Sequence, residues 1–171
     1  MASHGDPVLV DTNAILESFR VGAWRALSSR YSVETVEECV METHTGYQRR
    51  RVEERIDPAE LRASLGAVHE VGIAEMAAIA VQATDIALDL GERSLWAHAL
   101  TRKDAWVLCG PDRASLRFGV RLGLRDQLVS LERLLSAIGH RPRETLRANY
   151  TSKWLDAALG ELVLWEGGGR K

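Results

Sequence analysis

The chain has 171 residues, 46% of them hydrophobic and 27% charged, with a formal net charge of −2. That length suits one domain with room for an appended element, large enough to bury its core without disulfides or a structural metal. Cys39 and Cys109 are its two cysteines and form no C-x-x-C pair, which excludes a disulfide scaffold and points to a reducing, cytoplasmic compartment.

Taken in chain order, Val8-Leu9-Val10 is a short apolar run between Pro7 and Asp11, the form of a buried parallel strand. Asp11-Thr12-Asn13 starts a helix that carries Ile15, Leu16 and Phe19 at helical spacing. Val21 to Leu27 predicts a second short helix, Tyr31 to Thr35 a strand, and Val36, Cys39 and Val40 the apolar stripe of the next helix. Pro58 opens a further helix through Leu61 and Leu65, and Val68 to Val71 is a short strand. Helices are expected over Ile73 to Ala83 and over Leu88 to Leu100, the latter broken near Gly91. Trp106-Val107-Leu108 predicts a strand, Asp112 to Leu122 a helix, Leu128-Val129 a closing strand, and Leu131 to Ile138 a helix. Strands alternating with helices predict an α/β fold, a three-layer α/β/α sandwich around a mainly parallel sheet.

Residues 1–138 form this domain, and 139–171 form a C-terminal helical extension with a frayed tail. In the extension, Trp154, Leu155, Ala158, Leu159, Leu162 and Val163 make an apolar stripe that needs covering, by the domain itself, by a second copy in a homodimer or by a partner. The start of the chain lacks the basic and apolar regions of a signal peptide. Glu75, Asp85 and Asp89 interrupt the best membrane-spanning candidate, so no membrane association is expected.

In parallel sheets, functional residues gather at the carboxyl ends of the strands. Asp11 and Asp112 each follow a short apolar strand directly or by a tight turn. Glu38 lies one turn into its helix, and Glu42 lies one turn further on the same face. Glu38 is favoured of the two because it is nearer the strand end. Glu92 falls on the face that carries Leu95, Trp96 and Ala99, where a carboxylate must pair, bind metal or sit at the open end of the core. Each acid also has an ordinary structural use, as a helix N-cap or as a charge that favours the helix dipole. Carboxylates converging from separate elements are nevertheless what a magnesium or manganese site requires, and such sites hydrolyse phosphodiesters. The small negative net charge does not exclude a nucleic-acid partner, because ligand carboxylates mask local basic surface. Arg49, Arg50 and Arg51 follow the acids and could track a phosphate backbone, against the plainer reading of a solvated helix face. Asn13 could hold Asp11 or a substrate phosphate.

Four segments together carry a family resemblance: Val8-Leu9-Val10-Asp11-Thr12-Asn13, Thr35-Val36-Glu37-Glu38-Cys39, Leu90-Gly91-Glu92-Arg93-Ser94-Leu95-Trp96-Ala97 and Val107-Leu108-Cys109-Gly110-Pro111-Asp112. Their order and spacing are similar to those of the PIN-domain ribonuclease family, over Val8 to Ala137. The resemblance implies magnesium or manganese held by Asp11, Glu38, Glu92 and Asp112, and cleavage of single-stranded RNA. Many such domains are toxins of toxin–antitoxin pairs, so it also admits an antitoxin protein as partner. Two other readings stay open: another metal-dependent phosphohydrolase, and a catalytically inactive binding module of the same fold. The histidines show no metal-ligand spacing, Trp96 and Trp106 fall on apolar stripes, and the cysteines are expected to be buried thiols.

Overall fold

Pro7–Val10 (β1) is the centre of the sheet, flanked in parallel by Ser32–Val36 (β2) on one side and Val107–Cys109 (β4) on the other. Ala67–His69 (β3) adds to β2, giving a four-stranded, all-parallel sheet in the order β3-β2-β1-β4. The structure is a computed structural model that describes residues 5–45 and 55–168. Arg49, Arg50 and Arg51 therefore lie outside the described residues.

The strands alternate their side chains between two separate cores. Val8, Val10 and Val33 enter one with Ile15, Leu27, Leu61 and Leu131, whereas Leu9, Val36 and Leu108 enter the other with Leu95, Trp96, Phe118 and Leu159. Helices Thr12–Arg20 (α1), Trp24–Arg30 (α2), Pro58–Ser64 (α4) and Leu131–Ala137 (α8) supply the first core. Helices Ile73–Gln82 (α5), Leu90–Thr101 (α6), Arg113–Arg121 (α7) and Ser152–Gly168 (α9) supply the second. Helix Glu37–Glu42 (α3) sends Val40 to the first and Cys39 to the second. With both sheet faces covered, the arrangement is consistent with a three-layer sandwich and explains why β1 and β4 are continuous apolar runs. Each wholly buried side chain such as Leu9, Ile15 or Leu108 contributes roughly 1.5–3 kcal/mol. Trp96 is fully buried, donates its indole N–H to Ser115 Oγ at 2.8 Å, and lies over Gly119, where a Cβ would come within 2.9 Å of it.

Two expectations change. Gly91 does not break α6 but sits inside its first turn. Leu128-Val129 does not form a strand: it contributes one parallel bridge, Leu108 to Leu128, with Val129 N–H donating to Leu108 O at 3.0 Å. A 3-10 turn over Arg125–Gln127 leads into it and Ser130 caps α8 directly after, so two residues remain for pairing.

The extension is bound to the rest of the chain. Leu155, Ala158, Leu159 and Leu162 of α9 are buried in the same core as Leu116 and Phe118 of α7, and Arg117 and Arg121 both pair with Glu166. On the other face, Glu17 of α1 has a fully buried side chain that accepts from Arg20 and from the backbone N–H of Arg147, and Arg20 also donates to Thr145 O. Among the described residues, no helix is long and apolar enough to cross a membrane.

Candidate metal centre

From β1 the chain steps outward to β2 and β3, then returns past β1 to place β4 on its other side. The strand order reverses between β1 and β4, and in open parallel sheets ligands bind in the crevice outside the carboxyl ends at such a reversal. Asp11 leaves the end of β1 and Asp112 follows the end of β4. A cleft of about 310 Å³ opens there, lined by Asp11, Thr12, Asn13, Glu42, Asp89 and Glu92 among others.

Both aspartates are helix N-caps, as their plainer reading requires. Asp11 Oδ1 accepts the Ala14 N–H at 2.7 Å, and Asp112 Oδ1 accepts the Ala114 N–H at 2.7 Å. Capping engages one oxygen and fixes the carboxyl group, and the cap does not use the second oxygen; cap and ligand are compatible roles. Asp11 Oδ2 rests against Gly110, where a Cβ would come within 2.7 Å of it. Asp89 and Glu92 form a capping box at the start of α6: Asp89 Oδ1 accepts the Glu92 N–H at 2.8 Å, and Glu92 Oε2 accepts the Asp89 N–H at 3.1 Å.

Glu42, not Glu38, is the acid of α3 that reaches the cleft. Its Oε2 accepts from Thr12 Oγ1 at 2.7 Å and its Oε1 from the Gly91 N–H at 3.1 Å. Glu38 Oε2 instead accepts from Ser94 Oγ at 2.6 Å, about one turn further along α6, and does not line the cleft. The structure thus brings together Asp11, Glu92 and Asp112 of the expected set, with Glu42 in the position expected of Glu38, and adds Asp89. Asn13 is exposed on the cleft wall, and its backbone oxygen accepts from the Tyr150 hydroxyl at 3.3 Å. The sequence signal that belongs to Asp89 is the capping-box pattern, an aspartate three residues before a glutamate at the head of an apolar helix.

The electrostatics mark these acids as a mutually repelling group. Burial, together with the charges of Asp112, Asp89 and Glu42, pushes the Asp11 carboxyl up to about 7 against the opposing Ala14 cap bond. Burial, the Asp112 charge and a hydrogen bond to Asp112 push Glu92 up to about 8. Both groups are nearly inaccessible, Asp11 at 5% and Glu92 at 7% exposure, so solvent screens them little. Folded protein holds these protons more tightly than unfolded chain, so the stability they contribute is full below the ordinary carboxylate range, falls as pH rises beyond it, and is gone once pH has passed the folded values of about 7 and 8. His98, lowered to about 4 by burial and by the His69 and Arg102 charges, acts oppositely, and its contribution is complete above about pH 6.5. Between about pH 6.5 and 8.5 the melting temperature of metal-free protein should therefore fall, each acid contributing up to roughly 1.4 kcal/mol per pH unit. A flat or rising profile in a chelator-treated thermal melt would contradict this assignment.

A tighter set of donors lies beyond the other end of the cleft's helix. Glu34, His69 and His98 place one donor atom each within 4.8 Å of one another. Here a cation is already built in: Arg102 Nη1 donates to Glu34 Oε2, bonds His98 Nε2 at 3.2 Å, and the same guanidinium pairs with Asp104. The two imidazoles are stacked 3.7 Å apart with planes inclined by 16°, so their in-plane lone pairs run side by side and do not meet at one ion. This set reads as an ion-pair network joining β2, β3 and α6.

The free cysteines fit the expectation of buried thiols. Burial, with the Asp11 charge, pushes Cys39 up to about 12 and Cys109 higher still, so neither is a nucleophile. Comparison with protein-family models, characterised proteins and solved structures found no match for this chain.

Proposed function

We propose that the chain is a metal-dependent, PIN-like nuclease that hydrolyses phosphodiester bonds of single-stranded RNA. The observation that carries this reading is the gathering of Asp11, Glu42, Asp89, Glu92 and Asp112, from four elements, at the strand-order reversal of a parallel sheet. Their donor set is all oxygen, which suits magnesium or manganese, and the raised carboxyls are those whose repulsion a cation relieves. Asp11, Glu42, Glu92 and Asp112 would hold the metal, with Asp89 fixing Glu92 through the capping box. When bound, the metal supplies charge shielding for the phosphate and a more acidic water. The protein fixes the carboxylates beforehand: Thr12 and Gly91 hold Glu42, the α1 N-terminus holds Asp11, the capping box holds Glu92, and the α7 N-terminus holds Asp112. Asn13, on the wall of the same cleft, would meet a substrate phosphate. The preference for RNA over DNA comes from the family resemblance.

Manganese- or magnesium-dependent cleavage of a labelled single-stranded RNA, run beside hydrolysis of a small aryl phosphate, tests the reading. Cleavage of the RNA that stops on chelation is expected; turnover of the aryl phosphate alone would move the protein to another phosphohydrolase class. Within α3 the two glutamates should separate. Glu42→Gln should lower initial cleavage rates by roughly 10–100-fold, the scale seen when groups orienting a metal are removed. Glu38→Gln should stay within a few-fold of the parent. The reverse ranking would show that Glu38 enters the working site.

A further inference from the structure

We infer that Gly91 is a positioning residue of this site, glycine because its missing side chain makes the space in which the Glu42 carboxylate is held. The inference rests on the metal-site reading above and asks what places Glu42 within it.

Gly91 lies in the first turn of α6, with no positive φ, so its backbone conformation is open to any residue. Helix propensity runs the other way, since glycine is a poor helix former and alanine the best. A reason outside the helix is therefore needed, and the geometry supplies it. A Cβ on Gly91 would lie 2.8 Å from each Glu42 carboxylate oxygen and 3.0 Å from its Cδ, inside van der Waals contact. The same residue donates its N–H to Glu42 Oε1. Gly91 thus offers a donor and a cavity at one point, and Thr12 Oγ1 closes the other side on Oε2. The atoms that a methyl group would strike are the far end of a flexible side chain, not backbone. The fold can relieve the clash by swinging the carboxylate away, at the expense of the hydrogen bonds from Thr12 and Gly91 and its place in the cleft. A structural glycine and a positioning glycine consequently predict opposite signs.

Gly160 provides the control. It too is helical, inside α9, without positive φ, and a Cβ there would meet nothing within 4 Å. Gly91→Ala and Gly160→Ala should be compared with the parent by thermal melts in chelator and by manganese titration. Both variants should melt at or above the parent temperature without metal. Gly160→Ala should bind manganese like the parent, whereas Gly91→Ala should bind it at least about 10-fold more weakly, with RNA cleavage reduced in step. Three results would overturn the inference. A lower metal-free melting temperature for Gly91→Ala would mean that the clash falls on the fold. Parent-like manganese affinity in Gly91→Ala would mean that Glu42 does not need the space, while leaving the nuclease reading intact. Absence of manganese binding by the parent would remove the site itself and that reading with it.

Discussion

Asp11→Asn should leave the metal-free protein at least as stable as the parent, remove most of its response to metal and abolish its cleavage of RNA. Asparagine caps a helix as well as aspartate does, so the bond from the Ala14 N–H survives the change. What disappears is a buried carboxyl that Asp112, Asp89 and Glu42 all disfavour in its charged form. In the parent, metal at 100 times its dissociation constant stabilises by about 2.7 kcal/mol. Loss of a direct ligand should weaken binding at least as much as loss of a supporting group, roughly 100-fold at the upper end, leaving about 0.4 kcal/mol at the same metal concentration. The falling metal-free stability between about pH 6.5 and 8.5 should also flatten in the variant, since one of the two titrating acids is gone. Melts with and without manganese across that pH range, beside a cleavage assay, read all four effects. A variant that keeps full activity and the full metal-induced shift would reduce Asp11 to a helix cap.

The second large effect is expected far from the cleft. Leu162→Ala in α9 should cost about 2–5 kcal/mol, because the side chain is 1% exposed and its removal leaves a cavity against the α7 core. For a chain of this size that corresponds to a drop in melting temperature of roughly 5–15 °C. Leu164→Ala, two residues on and 78% exposed, should change stability by about 0.5 kcal/mol or less. The contrast tests whether the extension is part of the fold or an appendage. Because α9 braces α7, whose N-cap is Asp112, Leu162→Ala should also weaken the metal-induced shift. Equal effects of the two substitutions would show that α9 does not pack on α7 in solution.

Several features of this protein are legible in its sequence alone. Short apolar strands ending in Asp11 and near Asp112 are local signals, since strand length, burial on both faces and helix capping depend on a few adjacent residues. The helical spacing of Leu155, Ala158, Leu159 and Leu162 likewise assigns a buried face to the extension without naming its partner. The alternation of strands and helices is sufficient for an α/β fold with a parallel sheet. Periodicity also places Glu38 and Glu42 on one face of one helix, but it cannot choose between them. That choice depends on how far α3 is displaced along α6, and the close approach at Gly91 brings Glu42, not Glu38, to the end of α6 where Asp89 and Glu92 lie. For the same reason Asp89 reads in sequence as one more helix-start charge, and His69 and His98, 29 positions apart, give no sign that their rings stack. The raised carboxyls of Asp11 and Glu92 are equally a property of the assembled cleft, because desolvation and like-charge repulsion exist only once separate elements enclose them. Sequence determined which residues share a face; tertiary packing decided where along each face the neighbouring element touches, because that offset is set by contacts between residues distant in the chain.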